Sequence, residues 1–194
     1  MEFRLFVSQK EDGTLPRIAY QLSWRNKLVL DTSYLGFLIL DQEPLLGEND
    51  GLTSWHESAG AMTAEYMQNG SIGREITIEA RIWNEGVAFR YVVPRTTPLQ
   101  QIQIEDELTE FAFKAPSAAP VAEIPGAGWV AIAERGTAGS YPPMKLTSGD
   151  DPDVLVTHFD KVWESTTPLT TPWRVIGLGD TAQQAKAAAA AFRP

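Results

Sequence analysis

Few residues in this sequence have the type and spacing for acid–base or metal chemistry. His56 and Glu57 are adjacent, and one proton donor with one proton acceptor is what a mutarotase-type reaction at a sugar ring requires. Side chains of adjacent residues rarely converge on one substrate, so solvated side chains are the more common interpretation. His158 is isolated, and neither histidine has a metal-ligand partner at useful spacing, so we do not expect a zinc site. The sequence has no cysteine and no Gly-x-Ser-x-Gly turn, so neither a cysteine nucleophile nor a serine nucleophile of that type is indicated.

The tryptophans are a second group with possible binding chemistry, because indole rings can stack against the C–H faces of sugars. In a β-sandwich they more often pack in the core or between domains. Trp55 lies in the polar stretch 54–57, which we interpret as a loop, and it is the candidate for an exposed carbohydrate-binding platform. Trp163 would be a further candidate if it lay exposed beside a groove.

Arg81 and Arg90 flank a turn at strand positions near Glu79, and Glu107 or Glu110 could reach them from the following strand. Recognition of anions or sugar hydroxyls is one interpretation of these arginines. We favour a structural ion-pair network that joins adjacent strands.

Composition and charge limit the partners. The formal net charge is -9, and basic residues are not clustered, so a phosphate backbone would be repelled and we do not expect nucleic acid as a partner. Calcium or a neutral sugar remains compatible with this charge. The first residues lack the basic and apolar stretches of a signal peptide, and no apolar run approaches the roughly 20 residues that span a bilayer. We therefore expect no signal peptide in this chain and no membrane partner, while its localisation is left open.

The elements that must position these residues are strands. Apolar and polar side chains alternate along residues 76–83 and again along 87–93, which is the pattern of two half-buried strands. Residues 84–86, Asn-Glu-Gly, predict a three-residue hairpin loop in which Gly86 adopts the left-handed conformation. Pro94 cannot donate a ladder hydrogen bond and closes the second strand.

Further short apolar stretches recur roughly every 8 to 14 residues, which predicts an all-β sandwich of two antiparallel sheets packed face to face. Residues 41–69 largely lose this pattern, so we expect loops there with one strand near residues 62–67. Residues 100–113 change phase, which indicates a bulge or break near 105–107. The predicted strands outside the hairpin are residues 3–7, 18–24, 27–30, 35–40, 129–134, 154–156 and 171–176.

Only residues 181–192 have a helical composition. They are rich in alanine, with Asp180 or Thr181 as the N-cap. A terminal helix and a frayed tail are both compatible with the alanine run. We therefore divide the chain into a β-sandwich domain, residues 1–180, and an Ala-rich helix or tail, residues 181–194.

Four phrases occur in this chain in one order and spacing. They are residues 32–36 (TSYLG), 81–91 (RIWNEGVAFRY), 107–111 (ELTEF) and 172–175 (PWRV). Together they resemble the amino-terminal domain of glycoside hydrolase family 97, and the resemblance extends over about residues 12–176. It implies a supersandwich similar to galactose mutarotase, placed before a catalytic (β/α)8 barrel in α-glucosidases and α-galactosidases.

The resemblance also implies which chemistry this chain lacks. The family's catalytic carboxylates lie in the barrel, so no residue here inherits them, and we interpret the chain as a non-catalytic, carbohydrate-associated domain. Glu134 matches the position at which the family's sandwich supplies one glutamate to an active-site calcium ion. One carboxylate cannot hold Ca²⁺, which takes six to eight oxygen ligands, so the isolated chain should bind calcium poorly. The alternative without a binding role is a solvated glutamate at a strand end, paired with Arg135.

Three functions stay open at this point. A barrel-supporting module should present an apolar face to a catalytic domain, unless the chain self-associates over that face. A stand-alone hydrolase or sugar epimerase would need two titratable groups in one pocket on the concave face. A plain sugar-binding module would use an exposed Trp55 or Trp163. The sequence alone does not settle whether the chain is an enzyme.

Overall fold

The computed structural model describes residues 1–8, 16–48, 50–70, 73–115, 119–136 and 139–194. These residues form antiparallel strands and one short helix. The elements are β1 (Glu2–Ser8), β2 (Arg17–Trp24), β3 (Lys27–Tyr34), β4 (Phe37–Ile39), β5 (Asp50–Ser58), β6 (Ala61–Gln68), β7 (Glu75–Trp83), β8 (Gly86–Val93), β9 (Gln101–Glu107), β10 (Glu110–Ala112), β11 (Val121–Ile124), β12 (Gly128–Arg135), β13 (Lys145–Ser148), β14 (Val154–His158), β15 (Trp163–Thr166), β16 (Leu169–Thr170), β17 (Trp173–Gly179) and α1 (Ala182–Ala191).

One layer of the sandwich is a continuous sheet with the strand order β11-β12-β17-β8-β7-β6-β5, and β16 pairs with β8 beside this path. All of its pairings are antiparallel. The strands at its centre are β8 and β17. Their side chains are almost all buried, which is the pattern expected of strands that are covered on both faces.

Three smaller sheets make up the other layer, with strand orders β1-β2-β3, β10-β14-β13 and β15-β9-β4. They are connected to one another by hydrogen bonds. An isolated bridge pairs Leu30, on β3, with Phe113, just after β10, and the Thr157 hydroxyl on β14 donates to the carbonyl of Glu107 on β9 at 2.7 Å. The predicted break in residues 100–113 is confirmed, because β9 ends at Glu107 and β10 starts at Glu110.

Aromatic side chains fill the space between the layers. Phe89 on β8 lies 5.2 Å from the ring of Tyr20 on β2, and Tyr91 lies 4.8 Å from the ring of Phe37 on β4. All of these side chains are buried, so the core lies between the central strands of the large sheet and the small sheets. The predicted all-β antiparallel sandwich is confirmed.

The predicted hairpin over residues 76–93 is confirmed, but its loop is shorter than predicted. Trp83 pairs directly with Gly86, so only Asn84 and Glu85 form the turn, and Gly86 is an extended strand residue. The reason for glycine there is contact with neighbours rather than a left-handed backbone. A Cβ on Gly86 would lie 2.5 Å from the carbonyl oxygen of Ile176 and 2.5 Å from the ring of Trp83.

The structure differs from the sequence prediction at residues 41–69. In place of loops with one weak strand it has a full hairpin, in which β5 pairs with β6 from Asp50–Gln68 to Ser58–Ala61. Most side chains of β5 are exposed. A strand with two exposed faces has no alternation to reveal it, because the period-two pattern arises only where one face is buried. Trp55 therefore lies on an edge strand and not in the predicted loop.

The predicted C-terminal helix is confirmed as α1. Thr181 is its N-cap, and a capping box links the Thr181 side chain to the amide of Gln184 and the Gln184 side chain back to the N-cap amide. The helix packs closely on β17, because a Cβ on Gly177 would lie 2.3 Å from the carbonyl oxygen of Ala185. No helix in the described part of the chain is long and apolar enough to cross a membrane.

Candidate functional site

A buried ion pair lies between the two layers at the ends of β9 and β17. Glu107 and Arg174 both have fully buried side chains. The Arg174 guanidinium donates from Nε to Glu107 Oε1 at 2.8 Å and from Nη2 to Glu107 Oε2, so the contact is bidentate. Arg174 points inward because it alternates along β17 with Trp173 and Val175, which pack with α1 on the outer face of the sheet.

Hydroxyl groups complete the surroundings of Glu107. Tyr141 donates to Glu107 Oε2 at 2.6 Å, Thr109 donates to Glu107 Oε1 at 2.7 Å, and the Tyr91 and Thr109 hydroxyls are hydrogen-bonded at 2.6 Å. Burial alone would raise the pKa of Glu107, but the charge of Arg174 and these hydrogen bonds hold the pKa below its ordinary value of 4.5. Burial and the neighbouring Glu107 raise the pKa of the Tyr141 phenol well above its ordinary value. The cluster therefore holds an ionised carboxylate and a neutral phenol.

Glu134 lies at the edge of this cluster. It sits directly opposite Arg174 in the pairing of β12 with β17, and its Oε2 accepts hydrogen bonds from Arg174 Nη1 and, at 3.0 Å, from the amide of Met144. The Glu134 side chain is 23% exposed, and its Oε1 accepts no hydrogen bond from the described residues. One oxygen of Glu134 is therefore fixed, and the other is available at the surface.

Arg174 is the residue that sequence reasoning missed. The predicted partner, Arg135, donates at 3.1 Å to the backbone carbonyl oxygen of Glu134, while Arg174 binds the carboxylate. Arg174 is 67 residues from Glu107 and 40 from Glu134, so no local spacing joins them. The available signal was a charged residue within the apolar strand around Val175, since a buried charge needs a partner.

Calcium chemistry suits only part of this arrangement. Among the described residues no group of three or more His, Cys, Asp or Glu side chains could hold a metal ion. Arg174 is neutralised by Glu107, so the charge of Glu134 remains and would attract a cation. Glu134 Oε1 fits the oxygen donor that Ca²⁺ prefers, but it is a single donor where six to eight are needed. Calcium binding stays a prediction that requires ligands from elsewhere.

The sequence candidates on β5 lie apart from this cluster. Trp55 is 41% exposed, and Leu52 on the same strand is 55% exposed. His56 Nε2 is 3.1 Å from the Ser54 hydroxyl, and Glu57 follows on the opposite face of the strand. The structure therefore does not bring His56 and Glu57 together as an acid–base pair, and Trp55 stays a predicted platform.

Of the two arginines on the central hairpin, Arg90 forms an ion pair, while Arg81 forms none among the described residues and donates to the carbonyl oxygen of Ala80. Arg90 donates to Glu79 at 2.7 Å on the neighbouring strand, which confirms that predicted pair. The guanidinium carbon of Arg90 also lies 4.6 Å from the ring centre of Trp173, and that of Arg81 lies 5.7 Å from it. The predicted alternative partner, Glu107, pairs with Arg174 instead.

Comparisons with known proteins agree with this architecture. The family model described as Glycosyl-hydrolase 97 N-terminal matches residues 2–124. No curated protein sequence matches the chain.

Solved structures resemble the chain over most of its length. Two are structures of a glycoside hydrolase family 97 enzyme from Pseudoalteromonas sp. strain K8, in complex with acarbose and, as a variant, with panose. Each has a TM-score of 0.71 and 21% sequence identity over 92% of this chain and 34% of the enzyme. A beta-arabinopyranosidase has a TM-score of 0.64 and 17% identity over 92% of this chain and 38% of its own. At these identities the likeness concerns the fold, and the chain spans little more than a third of the solved proteins it matches.

Proposed function

Because the chain belongs to the Glycosyl-hydrolase 97 N-terminal family, we propose that it is a non-catalytic module that packs against the catalytic domain of a glycoside hydrolase. In this role the sandwich supports an active site that another domain completes. Its own contribution is a fixed carboxylate, Glu134, at the surface that faces the catalytic domain.

One observation carries this proposal. Glu134 Oε2 is held by Arg174 and by the Met144 amide, while Oε1 has no hydrogen-bond donor among the described residues. Arg174 is itself held by the buried carboxylate of Glu107, so the whole group has little freedom to move. A carboxylate fixed through one oxygen and open at the other is suited to donate that oxygen to a group presented from outside the chain.

We propose calcium as that group. A bound calcium ion would polarise a substrate oxygen and stabilise negative charge that develops on it. Glu134 would contribute Oε1 as one ligand, and Arg174 would orient it. The remaining ligands would come from the catalytic domain.

For the substrate we propose a carbohydrate. The Pseudoalteromonas enzyme is described in complex with acarbose and with panose, and the other similar structure is a beta-arabinopyranosidase. These proteins act as a guide to the sugars that should be tried: α-glucosides first, then α-galactosides and β-arabinopyranosides.

The test is expression of the complete gene product that contains this chain, beside the 194-residue chain alone. We expect hydrolysis of an aryl α-glucoside, α-galactoside or β-arabinopyranoside by the complete product and none by the chain alone. Calorimetric titration of the chain alone should show no micromolar Ca²⁺ binding, since it offers one ligand oxygen.

The variant Glu134→Gln keeps the size of the side chain and an acceptor for Arg174 but removes the charge. We expect it to raise the Ca²⁺ concentration at which the complete product is half-active or half-stabilised against heat. Glu123→Gln, at an exposed position on β11, is the matched control and should change neither quantity. Hydrolysis by the chain alone, a gene product without a catalytic domain, or an unchanged Ca²⁺ requirement in Glu134→Gln would each refute the proposal.

A further inference from the structure

A surface cleft lies beside the Glu134 cluster, between the segment that precedes β13, the end of β14 and the start of β15. Its volume is about 670 Å³, within the roughly 300–1,000 Å³ of sites that bind small molecules. The residues that matter for its chemistry are Pro142, Lys145, His158, Phe159, Asp160 and Trp163.

The floor of the cleft is apolar and rests on buried aromatic side chains. Trp163 and Phe159 are 9% and 4% exposed, and both rings pack edge-on against Tyr141, with centroid distances of 4.8 Å and 5.5 Å. Tyr141 is anchored by its hydroxyl to Glu107 at 2.6 Å. Because both rings are almost completely buried, they support the floor from beneath, and the exposed apolar surface of the cleft is that of Pro142 and Pro143.

The wall at the end of β14 carries a fixed polar group. Asp106 Oδ1 accepts hydrogen bonds from the amides of Glu107 at 2.9 Å and Phe159 at 2.8 Å, and its Oδ2 lies 2.7 Å from His158 Nδ1. Because a carboxylate accepts, Nδ1 is the donor in this contact, and Nε2 is the ring nitrogen that remains for a ligand. His158 Nε2 has no partner among the described residues, so it is available to a ligand hydroxyl.

Charges of both signs stand around the rim. Lys145 forms an ion pair with Asp160, and both side chains are more than half exposed. Lys161 and Glu164 add one charge of each sign. A rim that is balanced in this way does not favour an anion or a cation. It offers paired donors and acceptors to a neutral ligand that has several hydroxyl groups.

We propose that this cleft binds one pyranose unit of a neutral carbohydrate, with the C–H face of the sugar on the rings of Pro142 and Pro143 and its hydroxyls toward His158, Lys145 and Asp160. The choice of a carbohydrate over other neutral polyols rests on the proposed function. The cleft and Glu134 are adjacent, because Met144, whose amide binds Glu134, directly precedes Lys145. A sugar held here would lie next to the proposed interface with the catalytic domain.

The experiment is a nuclear magnetic resonance titration of the 194-residue chain with panose, and in parallel with methyl β-arabinopyranoside and with inorganic phosphate. We expect one of the sugars to shift the backbone signals of residues 140–145 and 158–164 and the indole signal of Trp163, with a dissociation constant on the order of 1 mM. Phosphate should produce no such shifts. The free chain is used, so the result does not depend on a catalytic domain.

Variants locate the site. His158→Ala removes one hydrogen bond, which should weaken sugar binding by about two- to tenfold, and Asp160→Ala should weaken it by a similar factor. Asp180→Ala is the matched control: it removes a similarly exposed ion-pair partner, that of Arg25, and should leave binding unchanged. All three positions are exposed, so the variants should fold.

Several results would overturn the inference. These are the absence of shifts in the cleft with either sugar, shifts confined to β5 around Trp55, displacement of the sugar by phosphate, or equal affinity in wild type and His158→Ala. A failure here would leave the role of Glu134 intact, because that role is read from the Ca²⁺ requirement of the complete gene product. Binding here with an unchanged Glu134→Gln variant would refute the proposed function alone.

Discussion

Replacing Arg174 by methionine should strongly destabilise the chain. The Arg174 side chain is fully buried and bidentate to Glu107, which is also fully buried, so the substitution leaves an uncompensated carboxylate in the core. Breaking a buried ion pair in this way costs about 3–5 kcal/mol. For a chain of this size each 1 kcal/mol lowers the melting temperature by about 2–4 °C, so we expect a decrease of roughly 6–20 °C.

The same reasoning predicts how a second substitution acts. In the double variant Arg174→Met/Glu107→Gln the buried charge is gone, and the glutamine oxygen can still accept from one of the two hydroxyls, Tyr141 or Thr109, which donate to different oxygens of Glu107. It should therefore be more stable than Arg174→Met alone, by about 1–3 kcal/mol. The measurement is urea unfolding monitored by tryptophan fluorescence, at neutral pH, for both single variants and the double variant.

The matched control is Arg90→Met, which breaks the partly exposed pair with Glu79. Its side chains are 30% and 26% exposed, so the loss should be only about 1 kcal/mol. The reasoning fails if Arg174→Met costs no more than Arg90→Met, or if the effects at Arg174 and Glu107 simply add.

Three smaller predictions concern other parts of the fold. Burial raises the pKa of Asp50 to about 6 from its ordinary 3.8, so the folded state favours the protonated form. The stability this group contributes is present below about pH 4 and is lost as the pH rises through about 6. Asp50→Asn should therefore remove a decrease of about 1–3 kcal/mol between pH 4 and pH 7 in urea unfolding, and an unchanged pH profile would contradict this. Gly177→Ala should place a methyl group 2.3 Å from the backbone oxygen of Ala185 and displace α1, with a cost of about 1–3 kcal/mol. Faster amide exchange in α1 would report the displacement, and exchange identical to wild type would exclude it. Thr181→Ala should remove the N-cap and cost about 1 kcal/mol, read from the melting temperature, while Lys186→Ala, within the helix, serves as its control.

The strands with one buried face could be predicted from the sequence, because burial of one face requires apolar and polar residues to alternate along the strand. The hairpin of β7 and β8 is the best case. β5 could not be predicted, since most of its side chains are exposed and its hydrogen bonds to β6 are made by the backbone. Gly86 was placed correctly in the hairpin but for the wrong reason, because the contact that excludes a side chain comes from Ile176, on a strand far along the chain.

The candidate site was predicted only in part. Glu134 was named from a resemblance, and its partial exposure is compatible with that role, as is Oε1, which has no donor within the described part of the chain. What holds it, the Arg174–Glu107 pair, depends on contacts across 40 and 67 residues that arise only when β12, β17 and β9 have assembled. The cleft beside Trp163 could not be predicted from the sequence for the same reason, since three separate segments of the chain form it.

The position of β17 within the large sheet sets a limit on how this polypeptide can be dissected. The family match ends at residue 124, yet β12 and β17 lie between β11 and β8 in the strand order. A fragment that stops at residue 124 would leave β11 without its neighbouring strand and would expose the side of β8 on which β17 pairs. It would also leave Glu107 buried without its counter-ion, Arg174. Such a fragment should be recovered as an aggregate, so the shortest autonomous unit must reach past Gly179 to include the helix that shields β17.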